Sequence, residues 1–170
     1  QIARLEGASR VIGSAGSAEK VALLTGRYGY SDAFDYKQAP VRRQLREVAG
    51  DGIDVYFDNV GGDHLEAALD VMRDGGRVAM CGAISVYNAT ERTPGPHNLA
   101  NIITRGLTVK GFTLGNYTHV FPEFAAKMGP WLASGAVVHD ETVVDGIGNA
   151  VDAFLDLMRG ANIGKMLVRI

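Results

Sequence analysis

Short apolar runs, separated by glycine turns and amphipathic stretches, set the plan of this chain. Residues 53–57 and 77–81 are two such runs, joined by a glycine turn, a helical stretch and a second glycine turn. Runs this short and this continuously apolar predict strands buried on both faces, as in a parallel sheet flanked by helices. Upstream, residues 1–6 read as the end of a helix stopped at Gly7. Residues 9–14 read as a strand, and Ser17 caps a helix running through Val21, Leu23 and Leu24. A strand over 33–36 and a helix over 41–48 follow, the helix with a basic outer face of Arg42, Arg43 and Arg46. Downstream, 91–97 is a loop broken by two prolines and a glycine. A short helix over 98–105 and a strand over 107–113 come next. The helix over 121–134 contains Gly129-Pro130, which predicts a kink. A strand over 142–144, an amphipathic helix over 147–159 and a strand over 165–170 close the chain.

Through residue 113 strands and helices alternate, which implies an α/β fold with a doubly wound parallel sheet. The rhythm then changes, and the expected division is a partial dinucleotide-binding domain over 1–130 with a C-terminal segment of a catalytic domain over 131–170. A dinucleotide-binding unit normally opens strand, glycine-rich turn, helix, with the pyrophosphate on the helix N-terminus. No such turn is present. The sheet is therefore expected to lack its first strand, which the usual order 3-2-1-4-5-6 places in the middle. Strands 10–14 and 53–57 would then lack their shared neighbour, and this predicts that the chain is part of a longer polypeptide. A smaller α/β domain with another strand order is the alternative.

Composition narrows the classes. The chain has 170 residues, a net charge of −2 and scattered basic residues, which argues against a nucleic-acid partner. No apolar run approaches the roughly 20 residues that span a bilayer. A single cysteine excludes an internal disulfide and fits a reducing, cytoplasmic setting. His64, His97, His119 and His139 have no metal-ligand spacing, so no metal site is expected. There is also no G-x-S-x-G elbow and no P-loop.

The candidate site lies past the carboxyl ends of the strands, where ligands sit in open α/β sheets. Strand 9–14 runs into Ala15-Gly16-Ser17 with no carboxylate before Glu19. An NAD-specific site usually has an acidic residue there for the ribose 2′-hydroxyl. Small residues instead leave room for a 2′-phosphate, to which Ser17 can donate and with which Lys20 can pair. A solvated helix lysine is the other reading of Lys20. Asn59, just past its strand, can hydrogen-bond ribose or nicotinamide, or simply serve the turn. Cys81 reads as a buried strand residue whose backbone faces the cofactor, and with no local base it is a poor nucleophile.

Six segments, in order, resemble the zinc-independent medium-chain dehydrogenase/reductase superfamily. They are GSAGSAEK (13–20), FDYK (34–37), GIDVYFDNVGG (52–62), GRVAMCGAISVYN (76–88), GFTLGNY (111–117) and NIGKMLVRI (162–170). The branch they are most similar to is that of the NADPH-dependent alkenal and prostaglandin reductases, the leukotriene B4 12-hydroxydehydrogenases. The resemblance implies a Rossmann-like domain and NADP as cofactor, used as NADPH. It places Lys20 at the 2′-phosphate with Tyr36 beside it, and matches Asn59. It lays Gly82, Ala83, Ile84, Ser85 and Tyr87 along the nicotinamide ribose. It brings the backbone of Phe112, Thr113 and Leu114 to the carboxamide, and Asn162 to the cofactor. Tyr36 also fits a core tyrosine, Tyr87 a surface aromatic and Asn162 a loop amide. Tyr87 is the candidate catalytic residue, since a phenol there could orient substrate or stabilise an enolate oxygen.

The implied activity is NADPH-dependent reduction of the C=C bond of an enal or enone. Quinone reduction, alcohol or carbonyl dehydrogenation, and nucleotide binding without turnover are the alternatives. The expected partners are a small-molecule enone or enal and a second copy of the chain, the superfamily being commonly dimeric. Strand 107–113 is the expected dimer seam.

Overall fold

The structure, a computed structural model, describes residues 1–170. In chain order its elements are α1 (Ile2–Leu5), β1 (Ile12–Ala15), α2 (Ala18–Gly26), β2 (Asp32–Asp35), α3 (Val41–Ala49), β3 (Ile53–Asp58) and α4 (Gly62–Val71). Then come β4 (Met72–Met80), α5 (Ala100–Thr104), β5 (Thr108–Gly111), α6 (Phe121–Ala133), β6 (Glu141–Asp145), α7 (Ala150–Arg159) and β7 (Lys165–Arg169). The strands lie in three sheets, ordered β1-β2, β3-β4-β5 and β6-β7. The β3-β4, β4-β5 and β6-β7 pairs are all parallel. The α/β class and the parallel pairing are as the alternation of elements predicts. No helix is long and apolar enough to cross a membrane. Two compact units are present, one of Phe34–Glu123 and one of Gln1–Ala33 with Phe124–Ile170.

In the Phe34–Glu123 unit the core forms where α4 lies on the sheet. Leu65, Leu69, Met72, Val78 and Leu107 are buried together, with Ile53, Tyr56, Met80 and Ile102 packed against them. Leu65, Ala68 and Leu69 recur at helical spacing, so α4 turns one apolar stripe inward. Each large side chain buried this way contributes about 1.5–3 kcal/mol. The strands are not buried on both faces as expected. Tyr56 and Asp58 point toward the α4 side, whereas Val55 is 53% and Phe57 56% exposed. The physical reason is layering: β3 is an edge strand, and the core residues packed on this sheet come from α4 and the α5 region on one side of it.

The second glycine turn also differs from expectation, because it lies inside a strand. β4 begins at Met72, and its register against β3 jumps from Ile53↔Met72 to Val55↔Arg77. The extra residues form a bulge containing Gly75, at φ +71. Gly76 is needed for another reason. A Cβ there would lie 2.4 Å from Met72 Cε and 2.9 Å from the Arg73 carbonyl oxygen. Gly76→Ala is expected to lower stability by about 1–2 kcal/mol in a urea titration. An unchanged midpoint would show that the bulge relaxes freely.

In the other unit, Ser17 caps α2 as expected: its Oγ accepts from the Lys20 amide at 3.3 Å. Asp140 accepts from Arg27 Nε at 2.7 Å, Arg27 Nη2 at 2.8 Å and Tyr28 Oη at 2.5 Å. Hydrogen bonds from Arg27 and then Tyr28 hold its carboxyl below the usual range. Gly164, at φ +68, passes so close to the Asp140 carbonyl that no side chain fits there. α6 runs through the Gly129-Pro130 pair as one helix, with Pro130 inside it. Pro130 and Ala126, whose carbonyl loses its usual donor, are both exposed, so water can replace the missing bond.

Candidate functional site

Two loops at the carboxyl end of the β3-β4-β5 sheet are joined residue by residue. The first leaves β3 as Asp58-Asn59-Val60-Gly61, and the second leaves β4 as Cys81-Gly82-Ala83 before a 3-10 turn over Ile84–Val86. The amides of Cys81 and Gly82 donate to the Asp58 carbonyl at 2.8 and 3.1 Å. Ile84 N donates to Asn59 O and Ser85 N to Val60 O, each at 3.1 Å. Ser85 Oγ adds a bond to Val60 O at 2.5 Å, and Ala83 N donates to Tyr87 Oη at 3.0 Å. Every amide from Cys81 through Ser85 is therefore satisfied within this unit.

Asp58 organises the pair. It is fully buried. Its Oδ1 accepts from Tyr56 Oη, Val60 N and Gly61 N, each at 2.9 Å. Its Oδ2 is buried without a partner. Burial first, and the Asp58 charge second, push the Tyr56 phenol well above its ordinary pKa. The sign follows directly. The folded state keeps this proton while the unfolded chain releases it near pH 10, so the stability it confers is intact below about pH 10 and falls above it. Relative to Tyr56→Phe, the native protein is expected to lose up to about 1.4 kcal/mol more per pH unit there. Parallel alkaline denaturation curves for the two proteins would contradict this.

The glycines in these loops mark close approach. A Cβ on Gly82 would lie 2.9 Å from Tyr87 Oη and 3.3 Å from the Asn59 carbonyl oxygen. On Gly61, at φ +71, it would lie 3.3 Å from Ala83 Cβ. A side chain at Gly82 would displace the Tyr87 hydroxyl and crowd the Asn59 carbonyl, so the small residue lets the two loops lie close together.

The structure thus brings together, in one unit, Asn59, Cys81, Gly82, Ala83, Ile84, Ser85 and Tyr87. Asn59 and Tyr87 are both exposed, Tyr87 at 62%. Cys81 corrects the expectation: it is exposed rather than buried, because β4 ends at Met80, and its N–H is held by Asp58. Phe112 and Thr113 follow β5. Phe112 N donates to Met80 O at 3.2 Å and the Phe112 ring meets Phe57 and Tyr117. Thr113 stands at the N-cap position of a 3-10 turn without a side-chain cap bond, and Leu114 is 67% exposed. Tyr36 follows β2, with its ring edge-on to His64. In the other unit, Lys20 Nζ donates to the carbonyl of Gly160, the C-cap of α7, at 2.5 Å. Asn162 Nδ2 closes its own turn on Gly164 O at 2.7 Å. Sequence reasoning missed Asp58 as the organiser, although an aspartate ending a strand before Asn-Val-Gly-Gly is a signal for a side-chain-held turn.

A scan of protein-family models matches residues 1–129 to the family described as zinc-binding dehydrogenase. The chain belongs to this family. Among curated dehydrogenase relatives it is 43% identical to a 2-alkenal reductase (NADP(+)-dependent) of Nicotiana tabacum, over 94% of this chain and 47% of the relative. It is 35% identical to the NADPH-dependent curcumin reductase of Escherichia coli K12, over 100% of this chain and 50% of the relative. Among solved structures, CurA from Vibrio vulnificus in complex with NADPH superposes with a TM-score of 0.91 at 40% identity, covering 99% of this chain and 51% of that one. The chain thus spans about half the length of the relatives it matches. The zinc of the family description does not fit this donor set, which has one cysteine, four histidines and no group of three or more His, Cys, Asp or Glu side chains placed to hold a metal ion. The joined loops leave an exposed amide at Asn59 and an exposed phenol at Tyr87.

Proposed function

We propose that this chain is the nucleotide-binding part of an NADPH-dependent reductase acting on the C=C bond of α,β-unsaturated aldehydes or ketones. The observation that carries this reading is the state of Tyr87. Its Oη already accepts from Ala83 N at 3.0 Å, so its own O–H is left to donate outward. The alkenal and curcumin reductases among the relatives support the same chemistry. Residues 1–130 are the partial dinucleotide-binding domain and 131–170 a segment of the catalytic domain, a division supported by a family match that ends at residue 129.

When bound, NADPH supplies the hydride that the β-carbon of the enone receives. Negative charge then collects on the carbonyl oxygen, and the Tyr87 phenol stabilises it by hydrogen bonding. Water or a tyrosine supplies a proton to the α-carbon, completing the saturated carbonyl product. Asn59 and the Gly82–Ser85 backbone orient the ribose and nicotinamide, with Phe112, Thr113 and Leu114 at the carboxamide. Ser17, Lys20 and Tyr36 are assigned to the 2′-phosphate, and Asn162 is a further cofactor contact. Most of the rate gain is positioning and electrostatics.

The full-length protein is read as a cytoplasmic homodimer. The support for a dimer seam is β5, an exposed strand on the outer side of β4 with one edge unpaired. The deciding assay follows NADPH and NADH oxidation by the full-length protein with enals, enones and quinones. A saturated carbonyl product with preference for NADPH is expected. An allylic alcohol product, or no oxidation with any enone, would reject the reading.

A further inference from the structure

His64 stands in the first turn of α4, three residues after the N-cap Gly61. It is partly buried, and its Nε2 is wholly buried with no hydrogen-bond partner. Burial pushes the ring's pKa below its ordinary value, although Asp58 and Asp63 pull the other way. A buried ring nitrogen with no partner is a cost, so that nitrogen is not what the fold gains from this residue. What the imidazole does make is a T-shaped contact with Tyr36, with ring centroids 5.4 Å apart and planes at 75°. Edge-to-face contacts of this kind fix orientation as well as add packing.

Tyr36 needs that help. Its backbone is held on both sides: Lys37 N donates to Asp35 Oδ1 at 2.9 Å, and Gln44 Nε2 donates to Asp35 O at 2.9 Å and Ala39 O at 2.7 Å. The ring itself is 40% exposed and meets the His64 ring edge-on. We propose that His64 is a positioning residue for the cofactor, acting through the orientation of the Tyr36 ring. This rests on the assignment of Tyr36 to the 2′-phosphate made above. Because the role belongs to the ring and not to its nitrogens, phenylalanine restores it and aliphatic side chains do not.

The test uses the full-length protein, with NADP+ binding measured by calorimetry and steady-state kinetics measured alongside. H64A is expected to weaken NADP+ about tenfold while kcat at saturating NADPH changes by less than about twofold. H64F restores the affinity and melts higher than the native protein, because the unpaired buried nitrogen is gone. Y36A weakens binding as H64A does, and the double variant is no weaker than Y36A, since His64 acts through Tyr36. H64L fills the same space without an aromatic edge, so it is expected to match H64A and replaces it should H64A not fold. Native-like affinity in H64A or H64L overturns the proposal. So does an H64F as weak as H64A, or losses that multiply in the double variant. A native protein that binds no NADP+ would instead overturn the cofactor reading and this inference with it.

Discussion

Asp58→Ala is expected to lower unfolding free energy by about 4 kcal/mol in a denaturant titration. Three donors lose their acceptor at once: Tyr56 Oη, Val60 N and Gly61 N, each now at 2.9 Å from Oδ1. Water does not readily replace that acceptor, because Asp58 is fully buried. Part of the loss is offset, since the variant no longer buries an unpartnered Oδ2. Asp58→Asn keeps an oxygen for the three donors and places its amide where Oδ2 lacks a partner, so it should cost only about 1–2 kcal/mol. The ordering of the two variants is the informative result. If alanine costs no more than asparagine, the turn at Asn59 is held by its backbone bonds to the β4 loop, and the carboxylate is incidental.

Tyr87→Phe is the second large effect, and it falls on rate. Removing the phenol oxygen from the full-length protein should lower kcat for enone reduction about 100-fold, with the KM for NADPH changed by less than about threefold. The reasoning is local. Ala83 N–H occupies the phenol as an acceptor at 3.0 Å, which leaves the hydroxyl hydrogen for an oxygen that gains charge during the reaction. A fall in NADPH affinity with kcat preserved would make Tyr87 a cofactor contact and remove it from the chemistry.

Much of this architecture is legible in the residues. Apolar runs and glycine turns mark β3, α4 and β4, and Ser17 announces the start of α2, because these signals are local and their physics acts within a few residues. The misses share a cause. Val55 and Phe57 look as buried as Tyr56 on hydropathy alone, yet which face of an edge strand is covered depends on what packs there. Gly75 marks a turn correctly, but whether the turn ends a strand or bulges within one is decided by pairing with β3. In the site, the residues proposed to contact ligand sit in local motifs, whereas the bonds of Asp58 and the ring contact of His64 depend on neighbours brought close by folding. Their importance appears only once partners and burial are known.

The segment between Tyr87 and Asn98 is tied at both ends and exposed from Asn88 through Gly95. At its start the Tyr87 hydroxyl holds Ala83. At its end His97 N reaches Glu66 Oε2 at 3.1 Å, and Asn98 Nδ2 reaches Glu66 O at 2.8 Å and Asp70 Oδ1 at 2.7 Å. Such a span is open to variation between lineages: residues can be exchanged, inserted or lost in its middle while both anchors and the sheet beneath stay as they are. Natural selection could therefore retune what this stretch meets in its surroundings over many generations without reopening the older problem of folding the two joined loops.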